Sequence, residues 1–537
     1  MRGSVSLLLL LSGLPVSWAT LGGLLEKLKP LEQTSLRCPD YSSYSYQRHP
    51  PFSTGRFELS YQRPDPACRK FNLTEVEETI VSMKETIKDP DLFRLFENCF
   101  PNTLDTAIAW KGSAQKGARG ESQEDLTFIT TGDINAMWLR DSANQLQSYK
   151  SLLKANTSSS SLASLFRGAI NLQSRYILAS PHCNAFHAPS EANLSANTPF
   201  SSSEDYVVPT PEASTVFECK YELDSLAAFL QLSYEYYAGT GDAVFFARHG
   251  TWAQAVENIL NATTELLAGT YKPDGTVAIS PYQFQRFTPT ATETLANAGA
   301  GSPVAANTGL VRSAFRPSDD ACTYQLFIPA NMMFSRYLSL CADIMDTLPN
   351  NPNLTSTSHR MRALATNIRA GIEKHGRVNH RLHGRIYAYE VDGYGSHNTM
   401  DDANIPSLLS APLSGYVARD DPIYQNTRRF VLSRDNPYFM TGPVINATGG
   451  PHVGPGMAWP MALIVRILTS DDDDEIVGSL RQLVASTDGL GLMHESVSTQ
   501  SESNWTRQWF SWANGLFGQM VLDLRERKPH LLGLSYQ

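Results

Sequence analysis

Side chains able to do chemistry gather in five short segments of the sequence, where carboxylates stand beside other polar or aromatic residues. These segments are residues 131–142, 220–225, 315–322, 400–406 and 493–496, and an aromatic segment follows at 505–514. Carboxylates, asparagine and arginine hydrogen-bond hydroxyl groups in defined directions. Indole rings can cover the apolar face of a sugar ring. The mixture therefore predicts a site for a neutral, polyhydroxylated ligand.

Cleavage of a glycosidic bond would need two of these carboxyl groups. One must stay protonated to give its proton to the leaving oxygen, and the other must be ionised to activate water or attack carbon. Asp319 and Asp320 are adjacent, and capping of a helix N-terminus is the competing interpretation of this pair. We expect one of the two to be structural and the other functional. Glu495 lies in a small loop without a helical role, which favours a function for it.

Other candidate residues have structural alternatives that the sequence leaves open. Asp141 follows Arg140 and could form a buried ion pair in a helix, and Asp133 could cap the helix that follows it. Glu222 and Asp224 could anchor a helix N-terminus instead of binding a sugar.

Three further features are open or argue against other functions. His452 is equally compatible with a functional and a structural role, and the aromatic run 505–512 could belong to the core. The acidic run 471–475 lacks the ligand alternation of an EF-hand loop and predicts a solvated helix N-terminus. Sequence motifs of serine hydrolases, zincins, P-loop proteins and dinucleotide-binding proteins do not occur.

Composition excludes several classes of protein. The 537 residues include 44 Lys+Arg and 53 Asp+Glu, and 42% are hydrophobic. Such a chain can build a large core, so extensive disorder is excluded. The net charge of −9 argues against a nucleic-acid partner, which would need a basic surface.

The N-terminus and the cysteines favour the secretory pathway. Residues 1–19 combine one arginine, a short apolar run and a small-x-small site, a pattern that predicts a cleaved signal peptide rather than a membrane anchor. Seven cysteines allow disulfides in that compartment, and their odd number leaves at least one thiol without an intramolecular partner. The disulfide pairing stays open. Sequons occur at Asn72, Asn156, Asn193, Asn261, Asn353, Asn446 and Asn504.

Hydrophobic periodicity predicts an almost entirely helical protein after an irregular segment at 20–70. The predicted helices are 74–87, 137–153, 162–178, 223–237, 251–267, 324–345, 359–374, 422–433, 457–469, 475–486 and 508–524. Only 126–131 and 276–279 show the alternation typical of strands. Because strands do not alternate with helices, doubly wound sheets and TIM barrels are disfavoured. The pattern favours a closed toroid of paired helices with the active-site loops at one end.

Taken together, the motifs resemble glycoside hydrolase family 125, whose members are exo-acting α-1,6-mannosidases. The resemblance rests on TGDI-x-AMWLRDS, RPSDDA, DDAN-x-P, the Pro-His loop and MHES, which occur in that order. It implies an (α/α)6 barrel over residues 71–537 and hydrolysis with inversion. It also implies no metal and no cofactor.

The resemblance assigns roles to particular residues of this chain. It places the general acid at Asp319 or Asp320, without choosing between them, and the general base at Glu495. By motif position, the candidate ligands and walls of the terminal mannose are Trp138, Arg140, Asp141, Arg316, Asp402, His452 and Trp512.

We therefore expect a secreted, monomeric enzyme that removes terminal α-1,6-linked mannose from mannose-containing oligosaccharides, N-glycans or mannans. The alternatives are another exo-glycosidase on the same barrel and a catalytically silent glycan-binding protein.

Overall fold

Helices and their connecting loops dominate the structure, a computed structural model that describes residues 38–114, 124–194, 205–248, 250–349 and 352–537. The predicted signal peptide at 1–19 lies outside the described residues. Residues 41–537 form one compact unit.

The helices are α1 (Tyr41–Tyr44), α2 (Thr74–Thr86), α3 (Pro90–Cys99), α4 (Leu139–Gln147), α5 (Leu162–Ala179), α6 (Leu223–Thr240), α7 (Ala243–Arg248), α8 (Thr251–Glu265), α9 (Ile328–Thr347), α10 (Pro352–His375), α11 (Pro422–Val431), α12 (Pro460–Leu468), α13 (Asp473–Ala485) and α14 (Ser511–Arg527).

The strands are short: β1 (Ile108–Ser113), β2 (Asp125–Ile129), β3 (Met137–Trp138), β4 (Ala185–Phe186), β5 (Tyr206–Val208), β6 (Val216–Glu218), β7 (Gln283–Gln285), β8 (Leu326–Phe327), β9 (Arg377–His380), β10 (Gly384–Tyr387), β11 (Glu390–Val391), β12 (His397–Asn398), β13 (Phe439–Met440), β14 (Ala447–Thr448), β15 (Met457–Ala458), β16 (Ser496–Ser498) and β17 (Trp505–Thr506). They form sheets of two or three strands, and every pairing among the described strands is antiparallel.

All eleven helices predicted from periodicity are confirmed, with ends that differ by a few residues. The periodicity missed α3, α7 and the four-residue α1. The strand prediction at 126–131 corresponds to β2, but the prediction at 276–279 is wrong. Among the described residues, this segment forms no strand, only an isolated bridge between Tyr271 and Val277. Alternation of apolar and polar residues does not by itself make a strand, because a strand also needs neighbouring strands to pair with.

Capping residues fix where several of these helices begin. Asp89 accepts hydrogen bonds from two backbone N–H groups of α3, which has proline at its first position. Asp472 likewise accepts from the backbone N–H of Glu475 at the start of α13. The acidic run at 471–475 is therefore a helix N-terminus, as its sequence predicted.

Five helices pack side by side and orient the loops that carry the candidate residues. Helix α12 contacts α14, α14 contacts α4, α4 contacts α6, and α6 contacts α9. Second helices pack behind them: α13 behind α12, α3 behind α14, α5 behind α6, and α10 behind α9. Helices α4, α9 and α12 each begin within two residues of a short strand. Each of these strands belongs to a different small sheet, which joins the loop before that helix to other loops.

In the described part of the chain, no helix has both the length and the apolar character needed to cross a membrane.

Candidate active site

Arg140 is the centre of a buried group of carboxylates. It lies in the first turn of α4 and is 3% exposed. Its Nη1 donates to Glu222 Oε2 at 2.6 Å and to Asp224 Oδ2 at 3.1 Å, and its Nη2 lies 3.2 Å from Asp141 Oδ1. Two segments that are far apart in sequence thus meet at one guanidinium. Glu222 makes no capping hydrogen bond at the start of α6, so its role there is to pair with Arg140.

Asp319 and Asp320 lie in a tight loop well before α9, which begins at Ile328. The capping interpretation of this pair is therefore wrong. The loop is closed by hydrogen bonds from the Arg316 N–H to the Asp320 carbonyl (2.8 Å) and from the Asp319 N–H to the Arg316 carbonyl (2.9 Å). Asp319 has φ = 66°, in the left-handed region that few residues other than glycine adopt. Such backbone conformations gather at functional sites, where the surrounding structure holds them.

The two aspartates face different neighbours. Asp319 is half-buried, and the Nδ2 of Asn184 lies 3.3 Å from both Asp319 Oδ1 and Glu222 Oε1. Burial alone would raise the pKa of Asp319, but the positive charges of Lys220 and Arg140 outweigh it and lower the pKa. Burial raises the pKa of Glu222 well above its usual value. The positive charge of Arg140 opposes this rise, and the negative charge of Asp319 adds to it. A protonated Glu222 can therefore share a proton with the Asp319 carboxylate.

Asp320 faces the loops around His452 and Asp402. His452 Nδ1 lies 3.9 Å from Asp320 Oδ2, and Asp402 accepts a hydrogen bond from the Ser318 hydroxyl at 2.9 Å. Burial raises the pKa of Asp320, while His452 opposes the shift and Asp402 adds to it. Asp320 is only 1% exposed, so it is enclosed by these loops.

Glu495 is held at the edge of the sheet formed by β15, β16 and β17. The Thr506 hydroxyl donates to its Oε2 at 3.0 Å, and Arg507 Nε lies 3.7 Å from its Oε1. The backbone N–H of Glu495 is bonded to the Thr506 carbonyl, so the side chain projects from a paired backbone.

Arg507 connects the two halves of the site. Besides Glu495, it approaches Asp133, whose Oδ1 lies 3.8 Å from its Nη1. Burial lowers the pKa of Arg507, but Glu495, Asp133, Asp319 and Asp141 all raise it. Since these carboxylates act on one guanidinium, they lie close to one another in the fold. Helix α4 begins only at Leu139, so Asp133 is not a helix cap.

The remaining predicted ligands are more enclosed. Arg316 donates to Glu390 Oε1 at 2.6 Å, which already uses part of its guanidinium. Trp138 and Trp512 are 6% and 1% exposed, and neither indole N–H has a partner among the described residues. The Trp512 ring centre lies 5.7 Å from Arg140 Cζ, so this tryptophan backs the Arg140 group.

The structure adds four residues that were not among the sequence candidates: Asn184, Lys220, Glu390 and Arg507. Lys220 and Arg507 do lie in segments that stood out for their composition, at 220–225 and 505–514. No local signal marks Asn184 or Glu390, because only their spatial neighbours give them a role.

A disulfide joins two of the segments that reach Asp319. Cys183 and Cys219 are bonded, and they immediately precede Asn184 and Lys220. Cys38 and Cys68 are also disulfide-bonded. Cys99, Cys322 and Cys341 are buried free thiols, as the odd number of cysteines requires of at least one. Within the described residues, no group of three or more His, Cys, Asp or Glu side chains is arranged to hold a metal ion.

Two known proteins are similar to this chain over most of its length. The chain is 49% identical over 497 residues to the meiotically up-regulated gene 157 protein of Schizosaccharomyces pombe, covering 92% of this chain and 94% of that one. It also resembles the structure of a Streptococcus pneumoniae metal-independent α-mannosidase in a non-productive complex with α-1,6-mannobiose. That match has a TM-score of 0.72 and 34% identity, and it covers 85% of this chain and 99% of the bacterial one.

The family model for metal-independent α-mannosidases, GH125, matches residues 89–522, a range that contains the carboxylates around Arg140, the Asp319–Asp320 loop and Glu495. The family expected from the motifs is thus confirmed, and this chain belongs to the GH125 metal-independent α-mannosidases.

Proposed function

We propose that this protein is an inverting exo-α-1,6-mannosidase built on an (α/α)6 barrel. The observation that carries the proposal is that Asp319 and Glu495, from loops far apart in sequence, act on the same Arg507 guanidinium. A cavity lined by two carboxyl groups in different surroundings is what glycoside hydrolysis needs. The α-1,6-linked disaccharide in the bacterial relative supports the linkage.

We assign the general acid to Asp319. A general acid must contact the glycosidic oxygen, and Asp319 is half-buried, whereas Asp320 is 1% exposed. The pKa directions point the other way, because the pKa of Asp320 is raised and that of Asp319 is lowered. We give more weight to the exposure of Asp319, because the general acid must reach the substrate. Glu222 next to Asp319 can supply the proton, and a bound sugar would exclude water from the Asp319 carboxylate. Asp320 then keeps His452 in place.

Glu495 is the general base in this proposal. The Thr506 hydroxyl fixes one of its oxygens, and Arg507 Nε lies 3.7 Å from the other. In an inverting reaction, that water attacks the anomeric carbon on the face opposite the leaving oxygen. The two carboxyl groups are then expected about 6.5–9.5 Å apart.

We propose that the buried group around Arg140 forms the inner end of the sugar-binding site, which favours removal of a terminal sugar. Asp141 and Trp138 border it and are the candidate contacts for the hydroxyls and the apolar face of that sugar. Asp402 and His452 border the opposite side, beside Asp320. The substrate class is mannose-containing oligosaccharide, and we propose that the enzyme acts as a monomer.

We also propose that the protein enters the secretory pathway. The leader pattern at 1–19 and the Cys183–Cys219 disulfide support this location. Six of the seven sequon asparagines are exposed, as glycosylation requires, and Asn446 is half-buried.

The first test follows the anomeric configuration of mannose released from α-1,6-mannobiose by NMR. Initial β-mannose would support the linkage and inversion together. Initial α-mannose would contradict inversion, and release of mannose only from other linkages would contradict the linkage. Release of a different sugar from other glycosides would favour another exo-glycosidase. Binding without release would favour a glycan-binding protein.

The second test separates acid from base. Asp319→Asn should lose activity on mannobiose but keep much of it on 2,4-dinitrophenyl α-mannoside, whose leaving group needs no proton. Glu495→Gln should lose activity on both substrates, because water still has to be activated. Rescue of Asp320→Asn, and not of Asp319→Asn, by the activated substrate would move the acid to Asp320.

A further inference from the structure

The segment 41–46, called the N-terminal strap below, packs against the back of the loop that carries Arg507. It lies before residues 89–522, which match the family model. Tyr41 contacts the Trp509 ring edge to face, with ring centres 4.7 Å apart. The Gln508 side chain donates to the Ser42 carbonyl at 2.8 Å and to the Ser45 hydroxyl at 3.1 Å.

The other end of the strap reaches the same loop from the outside. Tyr46 lies 5.8 Å from Trp505 between ring centres, and Trp505 is stacked on the buried His494 at 4.6 Å. Two neighbouring pairs of residues hold this loop: the Trp505 ring stacks on His494, and the Thr506 hydroxyl donates to the Glu495 carboxylate.

Arg507 needs such support because its backbone is strained. Its φ is 46°, in the left-handed region that residues other than glycine rarely adopt. Such a conformation persists when the residues on both sides are fixed. Thr506 is fixed by its pairing with β16, and Gln508 and Trp509 are fixed by the strap.

We propose that the N-terminal strap is a positioning element for the reaction, which holds Arg507 in its strained conformation and thereby fixes the Glu495 carboxylate. The strap acts through Gln508 and Trp509 and does not itself touch the substrate. This inference rests on the proposed function of Glu495. It predicts that loosening the strap lowers the rate of the chemical step more than it weakens substrate binding.

The test compares Tyr41→Ala with two controls. Tyr41→Phe keeps the ring against Trp509, and Tyr536→Ala removes another tyrosine near a chain end, one that is 1% exposed and donates to the Leu531 carbonyl. On α-1,6-mannobiose, Tyr41→Ala should lower kcat about tenfold and change KM less than about twofold, because a small misplacement of a catalytic group is costly. Tyr41→Phe and Tyr536→Ala should both keep the kcat of the parent at 25 °C.

A folding defect is separated by a second variant. Gln508→Met keeps a side chain of similar length but has no N–H to donate to the strap, so it removes both bonds and should reproduce the loss of kcat. If both Tyr41→Ala and Gln508→Met keep kcat within about twofold of the parent, the positioning role is refuted.

Hydrogen exchange keeps this test independent of the substrate. Peptides covering 494–509 should exchange faster in Tyr41→Ala than in the parent, whichever glycan the enzyme cleaves. Unchanged exchange in these peptides would by itself refute the positioning role of the N-terminal strap. If exchange changes but the parent does not cleave mannobiose, the proposed linkage fails and the strap stands.

Discussion

Replacement of Arg140 by methionine tests how the carboxylates of the site are held together. The guanidinium is 3% exposed and lies within 3.2 Å of oxygens from Asp141, Glu222 and Asp224. Removing one partner of a buried ion pair typically costs about 3–5 kcal/mol, since it leaves a buried charge without compensation. We therefore expect Arg140→Met to lower the free energy of unfolding by about 4 kcal/mol at pH 7.

The expected loss can be measured as a change in melting temperature. With an unfolding entropy of about 2.1 cal/mol/K per residue, a unit of roughly 500 residues loses about 1 °C per kcal/mol, so Tm should fall by about 3–5 °C. Arg362→Met is the matched control, because Arg362 also meets two carboxylates but its side chain is 38% exposed. A pair of that kind contributes about 0–1 kcal/mol, so its Tm should change by less than about 1 °C.

The pH dependence gives a sharper test. Burial raises the pKa of Asp141 to about 6, and it raises the pKa of Asp224 to about 6 as well. The folded state thus binds more protons than the unfolded state between about pH 4 and pH 6, so these groups make stability fall as pH rises through that window. Without Arg140, the carboxylates can accept still more protons. The deficit of Arg140→Met should therefore shrink from pH 7 to pH 5, and a deficit that is absent at pH 7 or grows on acidification would refute the reasoning.

Two further predictions follow from single features of the structure. Cys183→Ser should lower stability by about 2–4 kcal/mol, as expected for a loop of this size, and should also lower kcat because Asn184 is released; a parallel fall for Cys341→Ser, a buried free thiol, would point to packing alone. Mass spectrometry of the protein expressed through the secretory pathway should find a glycan on Asn261, which is exposed, and none on Asn446, whose side chain bonds to its own loop and to Gln482. A glycan on Asn446 would show that this loop opens before folding is complete.

Much of the helical framework could be predicted from the sequence alone. Each long helix buries one stripe of apolar residues, and that stripe appears as a period near 3.6 in the sequence. Helix α3 was missed, although Asp89 and Pro90 mark its start, because its ten residues are too few for a clear period. The acidic run at the start of α13 was interpreted correctly, since capping and the helix dipole act through near neighbours.

The candidate site shows the limit of that reasoning. The motifs identified the loops that carry Asp319, Glu495 and Arg140, but local patterns suggested capping for Asp319 and Asp320. The structure instead places that pair in a closed loop with Asp319 at a positive φ. A turn held by contacts with other loops leaves no periodic signal in its own residues.

The sequence by itself determined the helices, the family and the carboxylates able to do the chemistry, because each depends on neighbouring residues or on a short motif. The tertiary structure decided which carboxylate meets which cation. Arg507 lies 3.7 Å from Glu495, and the negative charge of Asp319 raises its pKa. Yet 188 positions separate Arg507 from Asp319 in the sequence (507 − 319). Ion pairing, burial and pKa depend on distances of a few ångströms between loops, and only the packing of the helices sets those distances.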